Sequence, residues 1–191
     1  MNSHAGKQFD KTDFSEKDMS RHEFTECEFM NCNFSKTNFT NSTFIDCSFT
    51  NCNLSLAVLN NTGIKTVKFI NCKLMGVNFS PCNSFLFSVS FLDCILDLSS
   101  FFQKNMKKTV FVNCSLKESQ FEEVELAGAV FKNCDLLHAV FTRTGLEKAD
   151  FRTAKNYSID PELNKMKRAK FSYLGIAGLL DKYGIDVDFN E

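Results

Sequence analysis

The sequence predicts an all-β solenoid, a rod in which the chain winds through short strands and stacks each coil on the one before. Three observations predict it. Apolar residues recur every five positions, an Asn-Cys or Asp-Cys pair recurs about every twenty, and phenylalanine supplies 22 of the 191 residues while tryptophan is absent. Neither a helix nor a strand has a period of five. We therefore expect the backbone to turn a corner every five residues.

The repeat runs through most of the chain in two stretches. Every fifth residue from Phe9 to Phe79 is apolar, and the same holds from Leu86 to Phe151 after a slip of two residues. The residue two before each of these centres is usually Cys, Ala or Val, and the other three positions are mostly polar. Each repeat thus has two inward and three outward residues, and the inward residues become buried only when coils stack.

The longer period gives the size of one coil. In one register, Asn-Cys or Asp-Cys pairs begin at residues 31, 51, 71, 93, 113 and 133, so four five-residue repeats make one turn. At this period one column of centres is phenylalanine at every level. The predicted Phe ladder consists of Phe9, Phe29, Phe49, Phe69, Phe91, Phe111, Phe131 and Phe151. A stacking distance of about 4.8 Å would let successive coils pair their backbone amides and carbonyls.

Nine cysteines occur in the chain, and six of them form a second column. The predicted Cys ladder consists of Cys32, Cys52, Cys72, Cys94, Cys114 and Cys134. A metal site needs ligands that converge on a point, and a disulfide needs Cβ atoms closer than stacked parallel side chains place them. We therefore interpret these cysteines as core packing and predict no metal site. The asparagines beside them are expected to form an outer ladder of amide hydrogen bonds.

Composition and motifs argue against several classes of function. The net charge of −1 gives no strong field to attract nucleic acid or an anionic membrane. His4, His22 and His138 are scattered in the sequence, and no glycine-rich phosphate loop or paired nucleophile and base is present. We predict a protein that is not an enzyme, with no catalytic residue, no cofactor and no direct nucleic-acid contact. The lack of a signal-like N-terminus and of a long apolar run predicts a cytoplasmic location without membrane contact.

The repeat resembles a known family. An inward Phe or Leu, a small residue two before it and outward Asn, Ser, Thr, Asp or Lys resemble the A(D/N)LXX signature of pentapeptide-repeat proteins over about residues 7 to 155. The resemblance implies a right-handed quadrilateral β-helix of short strands and tight turns. We accordingly predict a β-helix over residues 1–155, with the register slip near 80–88, and a short helical cap over 156–191.

The C-terminal segment carries its own signals. Residues 160–162, Asp-Pro-Glu, predict the start of a short helix. Ser172 is expected to cap a second helix that runs to about Tyr183 and ends at Gly184. The segment LLDKYGIDV, residues 179–187, is similar to the C-terminal cap of the quinolone-resistance (Qnr) branch, which implies a homodimer through this segment. Capping of the open coil end alone is the simpler alternative. The candidate cap and dimer residues are Ile176, Leu179, Leu180, Tyr183 and Ile185.

One stretch, SPCNSFLF at residues 80–87, breaks the repeat. It contains the two-residue slip and a proline, which cannot donate a backbone hydrogen bond to a ladder. Two interpretations remain open: a bulge in one coil, or a small protrusion that contacts a partner. The candidate contact residues are Pro81, Phe85 and Phe87. A local group of carboxylates is either solvated surface or contact surface: Glu118, Glu122, Glu123 and Glu125.

The family resemblance also implies a function. Members of the Qnr branch and their relatives bind DNA gyrase or topoisomerase IV, and some imitate the shape and charge of duplex DNA. By resemblance, this chain is expected to bind one of these enzymes as a DNA mimic and to modulate it or protect it from quinolones. The alternative is an interaction scaffold with another partner. A net charge near zero and the absence of long loops between coils favour the alternative.

Overall fold

The backbone turns its corners in a left-handed conformation that recurs every five residues. The computed structural model describes residues 2–185. Non-glycine residues at the corners have φ angles between 48° at Lys11 and 62° at Arg168. This conformation costs a residue with a side chain about 1 kcal/mol, and Asn and Asp tolerate it best. Hydrogen bonds between coils therefore stabilise most of these corners against their local preference.

Eleven strands of three or four residues lie within residues 2–185, and all of them pair in parallel. One sheet contains β1 (Asn2–Ala5), β3 (His22–Thr25), β5 (Thr43–Ile45) and β7 (Gly63–Lys65). The other contains β2 (Gln8–Asp10), β4 (Glu28–Met30), β6 (Ser48–Thr50), β8 (Val67–Ile70), β9 (Val89–Leu92), β10 (Val110–Val112) and β11 (Val130–Lys132). The remaining sides pair through isolated bridges. The predicted β-solenoid is confirmed.

The register advances by twenty residues per coil except at the slip. Phe29 pairs with Phe49, and Phe49 pairs with Phe69. Phe69 then pairs with Phe91, twenty-two residues later, and Phe91 pairs with Phe111. One coil therefore contains two additional residues, and the Phe ladder stays aligned in the coils that follow.

The rings of the Phe ladder stack in order, with centroids 4.6 to 5.4 Å apart. Phe171 adds a further ring, 5.4 Å from Phe151. The sequence pattern missed it because two of the three intervening centres, Asn156 and Pro161, do not fit the apolar repeat. Neighbouring columns meet edge to face, and such ring pairs contribute about 0.5–1.5 kcal/mol beyond burial.

All nine cysteines are buried and free. Within the Cys ladder, the Cys52 thiol donates to the carbonyl oxygen of Thr50 at 3.3 Å and accepts the backbone N–H of Cys32 at 3.4 Å. Burial raises the pKa of the nearby Cys47 thiol to about 11. A thiol with such a pKa is protonated at neutral pH and is a poor nucleophile.

Outside the Cys ladder, five amide side chains and one carboxylate form a second ladder along one corner of the rod. We call it the Asn ladder, and it consists of Asn31, Asn51, Asn71, Asp93, Asn113 and Asn133. Asn71 donates to Asn51 at 2.8 Å, and Asn51 donates to Asn31 at 3.2 Å. Beyond the slip, Asp93 accepts from Asn113 at 2.8 Å. Each of these bonds joins one coil to the next.

The C-terminal segment differs from the prediction. The helix expected at 160–162 is wrong, because these residues form a turn in which Asp160 accepts the backbone N–H of Glu162 at 2.8 Å. The chain then rejoins the solenoid, since Asp150 pairs with Lys170. Coil pairing thus extends past the predicted boundary at 155, and the division of the chain into two units stays a prediction.

The second predicted helix is two short 3₁₀ helices, Leu174–Leu179 and Asp181–Tyr183. Ser172 caps the first, because its Oγ accepts the backbone N–H of Gly175 at 3.1 Å. Gly184 ends the second with a φ of 60°. An α-helix is disfavoured because two glycines stand among the six residues of the first segment. Of the Qnr-like segment 179–187, residues 186 and 187 lie outside the described residues.

Candidate partner-binding surface

Residues 80–87, which we call the 80–87 loop, leave the solenoid at a single corner. The carbonyl of Pro81 accepts the backbone N–H of Asn61 from the preceding coil at 2.9 Å, but its nitrogen has no hydrogen to donate to the following coil. Ser84–Leu86 form a 3₁₀ turn capped by Asn83, whose Oδ1 accepts the N–H of Phe85 at 3.0 Å. The loop is therefore an ordered turn with internal hydrogen bonds.

The predicted contact residues of this loop have different surroundings. Phe85 is 91% exposed, and Pro81 is exposed beside it. Phe87 is half-buried and meets the ring of Phe79 edge to face, with centroids 6.0 Å apart. Pro81 and Phe85 are accessible to a partner, whereas Phe87 anchors the loop to the core.

A buried lysine, which the sequence showed only as an exception to the small inward position, holds the loop. Lys104 is 3% exposed. Its Nζ donates to the carbonyl oxygen of Cys82 at 2.7 Å and to Ser84 Oγ at 2.9 Å, and lies 5.7 Å from the centre of the Phe87 ring. Desolvation lowers the pKa of Lys104. No sequence signal indicates these contacts, because the lysine and the loop lie one coil apart.

Lys104 satisfies groups that the interrupted ladder would leave unpaired. A buried carbonyl without a hydrogen-bond donor costs about 1–3 kcal/mol. A buried ammonium is costly unless several acceptors surround it, and here a carbonyl, a hydroxyl and an aromatic ring do so. The position of the exposed Phe85 therefore depends on a side chain from the next coil.

Cations neutralise part of the acidic group at 118–125. Arg143 donates to Glu123 at 2.9 Å and also pairs with Glu122. Glu125 lies 3.8 Å from Lys107. Within residues 2–185 this group therefore presents mixed charge, unlike the dense negative line of a phosphate backbone.

The candidate cap and dimer residues divide between a buried and an exposed side. Leu179 packs against the core, and Leu180 is half-buried. The other three are exposed: Ile176, Tyr183 and Ile185. Tyr183 also donates its hydroxyl to Glu162 at 3.0 Å, which ties the segment to the turn before it. The segment thus covers the coil end and leaves an apolar surface outside.

The structure brings together two of the three histidines that are scattered in the sequence. The rings of His4 and His22 stack with centroids 5.6 Å apart at the N-terminal end. Burial, and then the charges of Lys7 and His22, lower the pKa of His4. Within the described range, no three His, Cys, Asp or Glu side chains are arranged to hold a metal ion. No helix among residues 2–185 has the length and apolar character to cross a bilayer.

Comparisons with known proteins agree with this architecture. A family model described as "Pentapeptide repeat region" matches residues 22–101, and one described as "SV2A/B/C luminal domain" matches residues 86–159. No curated protein sequence matches the chain.

Among solved structures, a trypsin-treated form of QnrB1, described as a plasmid-mediated fluoroquinolone resistance protein, matches with 19% identity and a TM-score of 0.63, covering 98% of this chain and 99% of that chain. A second trypsin-treated form has 20% identity and a TM-score of 0.56, covering 98% and 100%. Full-length QnrB1 has 17% identity and a TM-score of 0.40, covering 96% and 100%. At these identities the likeness to the trypsin-treated forms shows the fold.

Proposed function

Because the chain is a pentapeptide-repeat protein, we propose that it is a non-enzymatic binding protein that engages DNA gyrase or topoisomerase IV in the cytoplasm and modulates the enzyme or protects it from quinolones. The observation that carries the proposal is the match in fold to a fluoroquinolone resistance protein over 98% of this chain. The rod supplies a rigid support, and the 80–87 loop supplies the contact.

The contact in this proposal is made by shape and apolar surface. Phe85 stands 91% exposed on an ordered turn, and burial of an aromatic side chain in a partner pocket contributes about 1.5–3 kcal/mol. Imitation of DNA by charge draws no support from the acidic group at 118–125, because Arg143 and Lys107 pair with three of its carboxylates. The mixed charge equally supports the alternative, a scaffold for another partner.

Self-association through the C-terminal segment is part of the proposal. Ile176, Tyr183 and Ile185 are exposed after the segment has covered the coil end, and an apolar surface beyond what a cap needs is typical of an interface. Sedimentation of wild type and a Tyr183→Lys variant tests this part. A dimer that dissociates on substitution supports it, and a wild-type monomer at micromolar concentration contradicts it.

A supercoiling assay tests the central proposal. Purified gyrase or topoisomerase IV is assayed with and without ciprofloxacin, with wild type, Phe85→Ser or Leu98→Ser added. Leu98 is a matched control because it is also an exposed apolar residue, but on another side of the rod. We expect an effect of wild type at micromolar concentration, at least tenfold weaker with Phe85→Ser and unchanged with Leu98→Ser. No effect of wild type on either enzyme or on drug inhibition leaves the scaffold alternative.

A further inference from the structure

Charges of opposite sign occupy matching positions near the two ends of one side of the rod. The acidic cluster consists of Glu23, Glu26 and Glu28, and the basic cluster consists of Lys165, Arg168 and Lys170. Coil pairing places Glu28 and Lys170 in one column, whose successive positions are 28, 48, 68, 90, 110, 130, 150 and 170. Glu26 and Arg168 both occupy left-handed corners, with φ of 53° and 62°. The two clusters thus repeat the same three positions seven coils apart.

Ion pairs within residues 2–185 neutralise neither cluster. Five of the six side chains are exposed and Glu23 is half-buried. In the part of the chain that the structure describes, none of the six forms an ion pair. Glu28 accepts a hydrogen bond from the neutral Gln8 at 3.0 Å. Lys170 lies beside Asp150, whose carboxylate already binds Arg152 at 2.7 Å. Each cluster therefore presents like charges to solvent.

The side between the two clusters is apolar at its centre. Leu92 in β9 and Val110 in β10 are exposed, and Val112 is half-buried beside them. These three residues lie on the outer face of the sheet that contains both β4 and β11, in the two strands halfway between the coils of Glu28 and Lys170. An apolar centre between charged ends is the usual composition of a protein interface.

A two-fold axis that lies over the outer face of this sheet, parallel to the strands and level with the gap between β9 and β10, exchanges the two clusters. We propose that a second copy of the chain packs against this side in antiparallel orientation. Glu26 then faces Arg168 and Glu28 faces Lys170 at both ends of the contact, while Glu23 and Lys165 meet at its rim. At the centre, Leu92 of each copy faces Val112 of the other. One symmetry operation satisfies all of these pairs, as an isologous interface requires.

Other occupants fit this side less well. A nucleic acid would be attracted by the basic cluster and repelled by the acidic cluster on the same side. A second copy in parallel orientation would place like charges opposite each other, which disfavours association. The antiparallel copy is the arrangement in which both ends attract.

The size of this side predicts a weak, salt-sensitive dimer. Seven coil steps of about 4.8 Å give a length of about 34 Å, and a five-residue side is about 15 Å wide. Each copy would bury about 500 Å², which is at the low end for specific protein interfaces. The distance over which exposed charges interact is about 10 Å at 0.1 M salt and shorter at higher salt, so added salt weakens the ion pairs at both ends. We therefore expect association at tens of micromolar in low salt and at least tenfold weaker association in 0.5 M salt.

Charge reversal in the full-length chain that also carries Tyr183→Lys, which removes the C-terminal contact, tests the proposal by sedimentation velocity. Glu26→Lys/Glu28→Lys and Arg168→Glu/Lys170→Glu are each expected to weaken the dimer at least tenfold. An equimolar mixture of the two variants should restore a dimer, and so should the chain that carries all four changes. Glu16→Lys/Glu118→Lys is the control, because it changes the net charge equally on another side and should have no effect. Reversal variants that associate like wild type overturn the proposal.

Zero-length carbodiimide crosslinking identifies the orientation. A Glu28–Lys170 crosslink between ¹⁴N and ¹⁵N copies at the mass of a dimer is the expected product, since within one rod these residues are about 34 Å apart. In the Tyr183→Lys chain, which lacks the C-terminal contact, a ladder of masses beyond the dimer indicates end-to-end stacking and overturns the antiparallel arrangement. A dimer that Tyr183→Lys abolishes and charge reversal leaves intact is the C-terminal dimer, and also overturns it. Binding of a 30-base-pair duplex by a chain that stays monomeric in low salt assigns the basic cluster to nucleic acid instead.

Discussion

Two corners of the same coil are stabilised in different ways. At Asn71 the backbone N–H donates to Leu92 at 2.9 Å and the side chain donates to Asn51 at 2.8 Å, so this corner repeats the bonding of its neighbours. At the 80–87 loop, the nitrogen of Pro81 cannot donate, and Lys104 supplies hydrogen bonds from the next coil. The repeating corner shares its stability among many equivalent contacts, whereas the loop depends on one side chain. A surface for a partner can therefore change without unfolding the rod.

The largest effect is expected where the repeating part is broken at its core. Phe111 is fully buried and stacks on Phe91 and Phe131, with centroids 5.2 and 4.9 Å away. Phe111→Asp places a carboxylate among these rings and should reduce the free energy of unfolding by at least about 4 kcal/mol. Urea denaturation followed by circular dichroism measures this loss.

A conservative substitution at the same position provides the control. Phe111→Leu keeps an apolar side chain, since leucine already fills other columns at Leu96 and Leu116, and should reduce the free energy of unfolding by only about 1–2 kcal/mol. If Phe111→Asp unfolds at the urea concentration of wild type, the stacked column is not the core of the rod.

The next largest effect tests the loop corner. Lys104→Ala leaves the carbonyl of Cys82 without its donor and opens space beneath Phe87, so the free energy of unfolding should fall by about 1–3 kcal/mol. Hydrogen exchange should increase in residues 82–87 and stay unchanged at Asn71. Lys108→Ala, at an exposed lysine in the same coil, should alter neither quantity. Equal exchange of the loop in wild type and Lys104→Ala would show that the lysine does not hold it.

These two corners also show what the sequence can and cannot predict. The Phe ladder, the Cys ladder and the slip were predicted because repetition leaves a period in the sequence. Phe171 was not predicted because Asn156 and Pro161 interrupt the five-residue apolar repeat, although its ring lies 5.4 Å from that of Phe151. The exposure of Phe85 agrees with the interpretation of its loop as a protrusion, whereas the role of Lys104 depends on contacts with another coil that no local rule describes.

The Asp-Pro-Glu stretch shows a different limit of sequence analysis. Aspartate before proline is as typical of a turn as of a helix start. The turn forms here because the chain returns to the solenoid, where Lys170 pairs with Asp150. Local sequence cannot include that pairing, and the short helix predicted at 160–162 was therefore wrong.

A smaller effect should appear in alkaline solution. Burial raises the pKa of Cys47 to about 11, whereas an unfolded thiol ionises near 9. Between pH 9 and 11 the folded chain keeps a proton that the unfolded chain loses. The free energy of unfolding is therefore unaffected below pH 9 and falls as the pH rises towards 11. The loss is about 1.4 kcal/mol per pH unit for each such thiol. Urea denaturation of wild type and Cys47→Val at pH 8, 9 and 10 measures this. Identical pH dependence of the two chains would contradict the raised pKa.

A single amide of the Asn ladder should matter less. Asn51 donates to Asn31 and accepts from Asn71, and its φ of 55° suits asparagine. Asn51→Ala removes two exposed hydrogen bonds and strains the corner, which should reduce the free energy of unfolding by about 1 kcal/mol. Asn51→Gly loses the same bonds without the strain and should lose less. If urea denaturation shows Asn51→Gly to be less stable than Asn51→Ala, the left-handed corner conformation does not explain the contribution of asparagine.

The smallest effect on stability is expected at the tip of the loop. Phe85 is 91% exposed, and the loop hydrogen bond that involves it uses only its backbone N–H, donated to Asn83. Phe85→Ser removes a side chain that is already in water, so the free energy of unfolding should change by less than about 0.5 kcal/mol. Phe87→Ser is the matched comparison, because the same substitution two residues later removes a ring that packs on Phe79, and should reduce it by more than 1 kcal/mol, on the order of other core truncations. Equal losses in the two variants would show that Phe85 also packs on the rod and is not available to a partner.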